Sequence, residues 1–465
     1  MFALLAAANE ASGVHFATWQ SITVMIVTAV AAVMAHKALA VFNDGARPFM
    51  LDFIGGKTTR PATATVVFGL SAGFIFGFGA PLALSTGVLN PWLLFLPAEI
   101  LGLVAPTWWL AAAAGLGWGA ISAWGLSSIN NLSANLPVDF ISALGELGTP
   151  ILWLFAIFPA LAVARQFGRT KGLITFGVQI AATVATMKLW PNIFAASIAM
   201  AAGVVMLVAF AVTKDRSERS AEAVALASMS DAERAAHAGN KAVAAAAVDQ
   251  LFGPNAARLR KYLPWFAVLG AAVAVLSATG IFAGGEATSF LVADRQFVEA
   301  AQVDFWRAFG FIPLIATTAL ASGAYAMAGL TFVYPVGYLI GHFIGNPALA
   351  LVVAAIAGAL VFSVEVFALS GLGKWMQRWP SIRESADHIR NAINEALQAA
   401  ILVGSLMVAL SMGGGLGALL VGGLYLLNEA LGRPVIRMAA GPAAILVSGV
   451  LLNLLHWVGL FTPVA

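Results

Sequence analysis

LLFLPAEILG (93–102) is an apolar run interrupted by Pro97, with Glu99 just past it, and TFVYPVGYLIG (331–341) repeats the pattern around Pro335. A proline inside a helix removes a backbone donor and frees a carbonyl, which then needs another partner. In a bilayer such irregular backbone persists only where protein or a water-filled cavity surrounds it. The residues before the two stretches also echo each other: FGFGAPLALSTG (76–87) precedes the first and FGFIPLIATTALASG (309–323) the second. Short, proline-interrupted segments at corresponding places in two halves are the sequence mark of an inverted-repeat transporter with a central site.

The rest of the chain fits a membrane setting. Of 465 residues, 61% are hydrophobic and 10% charged, whereas soluble domains carry roughly 25% charged residues. A soluble multidomain enzyme is excluded, and so is a nucleic-acid-binding protein, which needs dense Lys and Arg on an exposed face. The absence of cysteine removes disulfides, thiolate metal sites and a Cys nucleophile. The six histidines are scattered, with no pair at ligand spacing, and neither GxSxG nor HExxH occurs. GGGLG (413–417) lies in an apolar run without a following acid and reads as a flexible span. The expectation is a non-enzyme without metal or organic cofactor.

Apolar stretches near 18–38, 63–84, 91–104, 106–126, 150–164, 172–189 and 192–213 form one set. Those near 262–283, 308–330, 331–345, 347–372, 397–412, 415–430 and 440–461 form another. The predicted fold is therefore an all-α polytopic membrane protein. About 14 membrane segments form two inverted seven-segment repeats, 1–213 and 262–465, with short, Pro-broken third and tenth segments, spanning or re-entrant. Residues 214–261 form a cytoplasmic linker with helix-forming, Ala-rich composition and no core of its own. Starting outside and crossing at each segment places 21 of the 24 Lys and Arg residues in cytoplasmic loops. Both termini are then periplasmic, and the stretch 284–307, with Glu286, Asp294, Glu299 and Asp304 against Arg295 and Arg307, becomes an external loop. The polar stretches 127–150 and 373–398 read as interfacial amphipathic helices, with Asp139 and Glu146 sharing one face. GxxxGxxxG patterns at Gly69, Gly73, Gly77 and at Gly337, Gly341, Gly345 predict close helix packing.

Two acids then remain inside the bilayer, Glu99 and Glu365. Burying either costs at least roughly 2.5 kcal/mol, so proton or sodium coupling, or contact with a polar solute, is expected of them. The hydroxyls of Ser85, Thr86, Thr317, Thr318 and Ser322 lie near Pro81 and Pro313, and either bind solute or back-bond to their own helices. AVFNDGARP (40–48) and LNEALGRP (427–434) each join an Asn–acid pair to an Arg-Pro ending. Asn43, Asp44, Arg47, Asn428, Glu429 and Arg433 are thus candidates for a cytoplasmic gate or for helix caps.

AVFNDGARP, WLLFLPAEILG, LPVDFISALGELGTP, GKWMQRWPSIRESADHIRNA and LNEALGRPV, with the long stretch FGFIPLIATTALASGAYAMAGLTFVYPVGYL, resemble the YhfT family of bacterial inner-membrane proteins. The motifs run from the first span to the last. The chain departs from the family by its N-terminal extension and a longer Ala-rich linker near 220–250. The resemblance implies a multi-pass protein of the bacterial inner membrane with a transport role, and no substrate. Together the residues predict a secondary transporter that carries a small polar solute by alternating access, driven by H+ or Na+, in a lipid bilayer and as a homodimer. The alternatives are the membrane channel of a phosphotransferase-type sugar uptake system and a non-transporting membrane scaffold.

Overall fold

The computed structural model describes residues 16–43, 46–75, 79–126, 136–191, 193–326 and 332–463. Asp44 and Gly77 lie outside these, as do residues 127–135 of the first polar stretch. The protein is helical and membrane-embedded: among the described residues eight helices are long and apolar enough to cross a bilayer, or nine if one bent pair counts as a span.

The first half begins with α1 (Thr18–His36), strand β1 (Ala40–Val41) and α2 (Arg47–Ile54). It continues through α3 (Arg60–Phe74), α4 (Ala80–Thr86), α5 (Pro91–Val104) and α6 (Trp108–Ala120). After the linker the second half opens with α13 (Leu263–Ala278), α14 (Glu286–Ala293) and α15 (Phe297–Ser322). Strand β2 (Tyr325–Ala326), α16 (Val333–Phe343) and α17 (Pro347–Gln377) follow.

Small residues set the packing, as expected where lipid removes the hydrophobic drive between helices. A side chain at Gly115 or Gly119 of α6 would strike Thr28 and Met25 of α1, and one at Gly102 of α5 would strike Ala32. In the second half Gly270 of α13 meets Gly358 of α17, while Gly337 and Gly341 of α16 press on Ala274 and Ala278 of α13. Thus α1 packs on α5 and α6 as α13 packs on α16 and α17. Gly69 and Gly345, by contrast, face open space.

The halves also exchange extended backbone. β1, which follows α1, pairs in parallel with β2, in the register Ala40 to Tyr325 and Val41 to Ala326. Reciprocally, Leu89, just before α5, pairs in parallel with Phe282, which follows α13. Leu89 N–H donates to the Ile281 carbonyl at 2.8 Å, and Ala283 N–H returns a bond to Leu89 at 3.0 Å.

Helix α5 has 14 residues and α16 has 11. At 1.5 Å per residue these span about 21 and 16 Å, well short of the roughly 30 Å hydrocarbon core. Pro97 lies inside α5 and strands the Leu93 carbonyl, which accepts the Trp118 indole N–H at 2.7 Å. Pro335 is the third residue of α16, where no intrahelical donor is required. Pro81 likewise falls in the first turn of α4, whereas Pro313 sits within α15.

A second group of helices is built from the remaining segments. These are α7 (Phe140–Ala143), a 3-10 turn Leu144–Leu147, α8 (Gly148–Phe155), α9 (Phe158–Phe167), α10 (Arg169–Leu189) and α11 (Ala195–Ser228). The linker supplies α12 (Asp231–Lys261), and the chain ends with α18 (Pro380–Ala430) and α19 (Arg437–Trp457). Helix α18 breaks at Gly413 and Gly414, whose φ values are −151° and 55°. A side chain at Gly422 would reach Leu406. In a straight helix those residues would stand about 24 Å apart, so the two arms fold back on one another.

The polar stretch 373–398 is not a separate interfacial helix. It is interrupted at Arg378–Trp379, and its second part runs unbroken into the apolar first arm of α18. Asp215 of α11 caps that arm, its carboxylate accepting Ser381 N–H at 3.1 Å, while Arg219 stacks on Trp379 at 4.2 Å. In the other stretch Asp139 caps α7 rather than lying along a helix face shared with Glu146.

Candidate functional site

Glu99 is fully buried, and both its oxygens accept backbone donors: Phe42 N–H at 3.1 Å and Asn43 N–H at 2.9 Å. The carboxylate thus holds the chain as it leaves β1. Asn43 turns its side-chain amide to Ser71 at 2.7 Å. Glu365, on α17 and partly buried, accepts the Tyr325 hydroxyl at 2.6 Å and Phe332 N–H at 2.8 Å. It holds β2 and the entry to α16. The two acids are therefore placed at the two proline-marked segments, each with both oxygens engaged by the protein.

Most of the hydroxyl candidates turn back onto their own helices. Ser85 and Thr86 bond to the Leu82 carbonyl, Thr317 to Pro313 and Ser322 to Thr318. Thr318 differs: it accepts Arg47 Nη1 at 3.0 Å, a contact between the halves. In LNEALGRP, Asn428 closes a turn by bonding Val435 through both its amide atoms, and Glu429 binds Arg433 and Arg437 at 2.8 Å. These contacts are those of a cap, and they lie within the motif and its immediate neighbour. In AVFNDGARP, Asn43 and Arg47 instead sit among the helices.

Three residues expected in an external loop lie in the interior. Glu286, Asp304 and Arg307 are 2%, 0% and 4% exposed, so the stretch 284–307 is not a loop. Arg307 Nη1 stands 3.0 Å from Glu286 Oε2, with its guanidinium over Trp92 and Phe155 at 5.8 and 5.5 Å. Asp304 accepts the Tyr338 hydroxyl at 2.9 Å and Thr288 at 3.3 Å, while Gly284 N–H donates to Tyr338 at 2.7 Å. Gly284 and Gly285 make room for this: a side chain at the first would strike Asp304, and at the second Arg307. The legible signal was the pair Gly284–Gly285 before an acid, with Asp304 and Arg307 one turn apart on a helix that continues apolar.

Glu286 and Arg307 open onto a cavity of about 480 Å³. One wall comes from the first group of helices and includes Asn43, Trp92 and Phe311. The opposite wall comes from α18 and α19 and includes Asn391, Asn394, Gln398 and Arg437. Spaced i, i+3 and i+7, Asn391, Asn394 and Gln398 form the polar stripe of the amphipathic arm. Neither Glu99 nor Glu365 lines this cavity. Among the described residues no group of His, Cys, Asp and Glu is arranged to hold a metal ion.

The family model for YhfT, described as a protein of unknown function, matches residues 20–461. The chain belongs to the YhfT family. It is 39% identical over 456 residues to the uncharacterized protein YhfT of Escherichia coli (strain K12), covering 96% of this chain and 99% of that one. Family membership thus extends over both halves, the linker and every residue of the buried Glu286–Arg307 cluster. No solved structure matches the chain.

Proposed function

We propose that this YhfT-family protein is a secondary transporter that moves a small polar solute across the bacterial inner membrane by alternating access. The observation that carries the reading is the cavity between two helix groups, with a buried ion pair on one wall and an amide-rich stripe on the other. Fixed charge inside a membrane protein is costly and marks solute or ion pathways. A cavity of about 480 Å³, largely apolar with a few polar groups, is the size of a small-molecule site.

The reciprocal pairing of Leu89 with Phe282 and of β1 with β2 supports two inverted repeats of seven segments. So does the fold-back of α18, which is compatible with two separate crossings at 397–412 and 415–430. In the proposed cycle the group bearing α1–α6 and α13–α17 slides past the group bearing α7–α11, α18 and α19. The concentration of Lys and Arg in alternate loops supports periplasmic termini. Coupling to H+ or Na+ falls to Glu286, the carboxylate that faces the cavity, while Glu99 and Glu365 keep the broken segments in shape.

The test is ion and solute flux in proteoliposomes, with the wild type beside Glu286→Gln, Glu99→Gln and Glu365→Gln. Solute-dependent proton or sodium movement that is lost in Glu286→Gln is the expected result. Solute uptake without ion movement would point to a uniporter or phosphotransferase channel. Silence in every folded protein would sink the transport reading.

A further inference from the structure

We propose that the solute is a small organic anion, and that Arg307 is the residue that recognises its carboxylate or phosphate group. The inference rests on the transport reading for its purpose, but on separate observations for its chemistry. Arg307 is 4% exposed and lines the cavity, and its Nε makes no hydrogen bond among the described residues. A buried guanidinium donor without an acceptor is costly unless a ligand supplies one, and guanidinium matches the two-oxygen edge of a carboxylate or phosphate.

The cavity is also walled by helix beginnings. Pro48 of α2, Pro91 and Trp92 of α5, Glu286 of α14, and Arg437 and Met438 of α19 all belong to first turns and all line it. Each helix start carries partial positive charge, which favours an anion. The other cations on the wall are already engaged outside it: Arg437 by Glu429 and Arg390 by Asp387 at 3.7 Å. Glu286 is the one acid among the described residues that line it. Asp304 is held from behind by Tyr338 and Thr288 and does not line the cavity. Phe42, Phe74, Trp92 and Phe311 supply an apolar surface for the organic part of the solute. Glu286 thus occupies Arg307 in the empty site and competes with the incoming anion for the same fork.

The experiment measures thermal unfolding of the purified full-length protein against inorganic phosphate, succinate and glucuronate, with glucose and choline as controls at matched ionic strength. At saturating concentration at least one of the three anions should raise the midpoint by about 2 °C or more. Glu286→Gln should bind that anion about tenfold more tightly, because the competing charge is gone. Arg307→Lys should bind it more weakly, and Glu286→Gln with Arg307→Gln, which removes both members of the ion pair, should not respond. If the double variant does not fold, the tightening in Glu286→Gln still decides the matter.

Three results overturn the proposal: no anion response in either the wild type or Glu286→Gln, a response that survives loss of Arg307, or stabilisation by glucose or choline instead. Its failure is distinct from that of the transport reading. Arg307-dependent anion binding without flux of the bound anion into proteoliposomes would remove transport and leave the site. Flux of glucose indifferent to Arg307 would do the reverse.

Discussion

The extended segments that leave α1 and α13 occupy matching places in the two halves, yet they are held by different chemistry. In the first half a carboxylate on the short helix, Glu99, accepts the backbone N–H groups of Phe42 and Asn43. In the second half a phenol on the short helix, Tyr338, accepts Gly284 N–H and passes the contact to Asp304 on α15. The acid has moved one helix away. That shift, with two glycines in the connecting segment, leaves space for Arg307 and Glu286 to meet at the cavity wall. One half uses its buried charge to close a joint, the other to furnish a site.

Substitutions can break this contrast. The largest effect is expected from Arg307→Gln, which leaves Glu286 buried beside no cation. Losing one partner of a buried pair costs roughly 3–5 kcal/mol, so chemical or thermal unfolding should show a sharply destabilised protein. Adding Glu286→Gln should restore most of the stability without restoring uptake. If it restores uptake as well, the pair is structural and the contrast between the halves collapses.

Glu99→Gln comes next. The glutamine carbonyl offers one oxygen to two N–H donors, and a buried unpaired donor costs about 1–3 kcal/mol. Stability should fall while the affinity for the bound solute stays unchanged, measured by titrating ligand into the folded variant. A changed affinity would place Glu99 in the site after all. Trp118→Phe should cost about 1 kcal/mol, because it removes the donor to the carbonyl freed by Pro97.

The smallest effect lies far from either centre. Ser230 and Glu233 form a reciprocal cap at the start of α12, and the donors of Ser230 hold the Glu233 carboxyl below the usual carboxylate range. A lowered folded-state pKa contributes stability above the unfolded value, lost as pH falls through the folded value. Ser230→Ala should therefore lower linker helicity near neutral pH and by less in strong acid, where only the bond from Glu233 N–H to the serine hydroxyl is lost. Circular dichroism across that range is the check, with solute uptake unaffected.

The helical, membrane-embedded character was readable because hydropathy is an average over many residues, and averages survive small errors in boundaries. Pro97 marked its short helix because the missing donor frees the Leu93 carbonyl, whereas Pro335 sits in the first turn of α16, where no donor is missing. The site itself was harder. A window average treats Glu286, Asp304 and Arg307 as loop charges, because it cannot see that a carboxylate and a guanidinium neutralise each other within a packed interior. The buried helix through Phe297–Ser322 therefore read as beginning only after Arg307. The hydroxyls of Ser85, Thr86, Thr317 and Ser322 posed the opposite difficulty. Their composition suggested a polar site, whereas serine and threonine in a membrane helix have a carbonyl of their own within reach.

The crossed pairing of extended segments bears on how the protein is made. Leu89 finds its partner only once residues 281–283 exist, and β1 only once β2 exists. At a synthesis rate of about 5–20 residues per second, the first half waits on the order of ten seconds to a minute with exposed backbone inside the membrane. During that interval it lacks the partners of its extended segments. Halves expressed separately and divided near Ser228 should each be degraded, yet assemble when both are present. Stable accumulation of the first half alone would show that the strand exchange comes after folding instead of completing it.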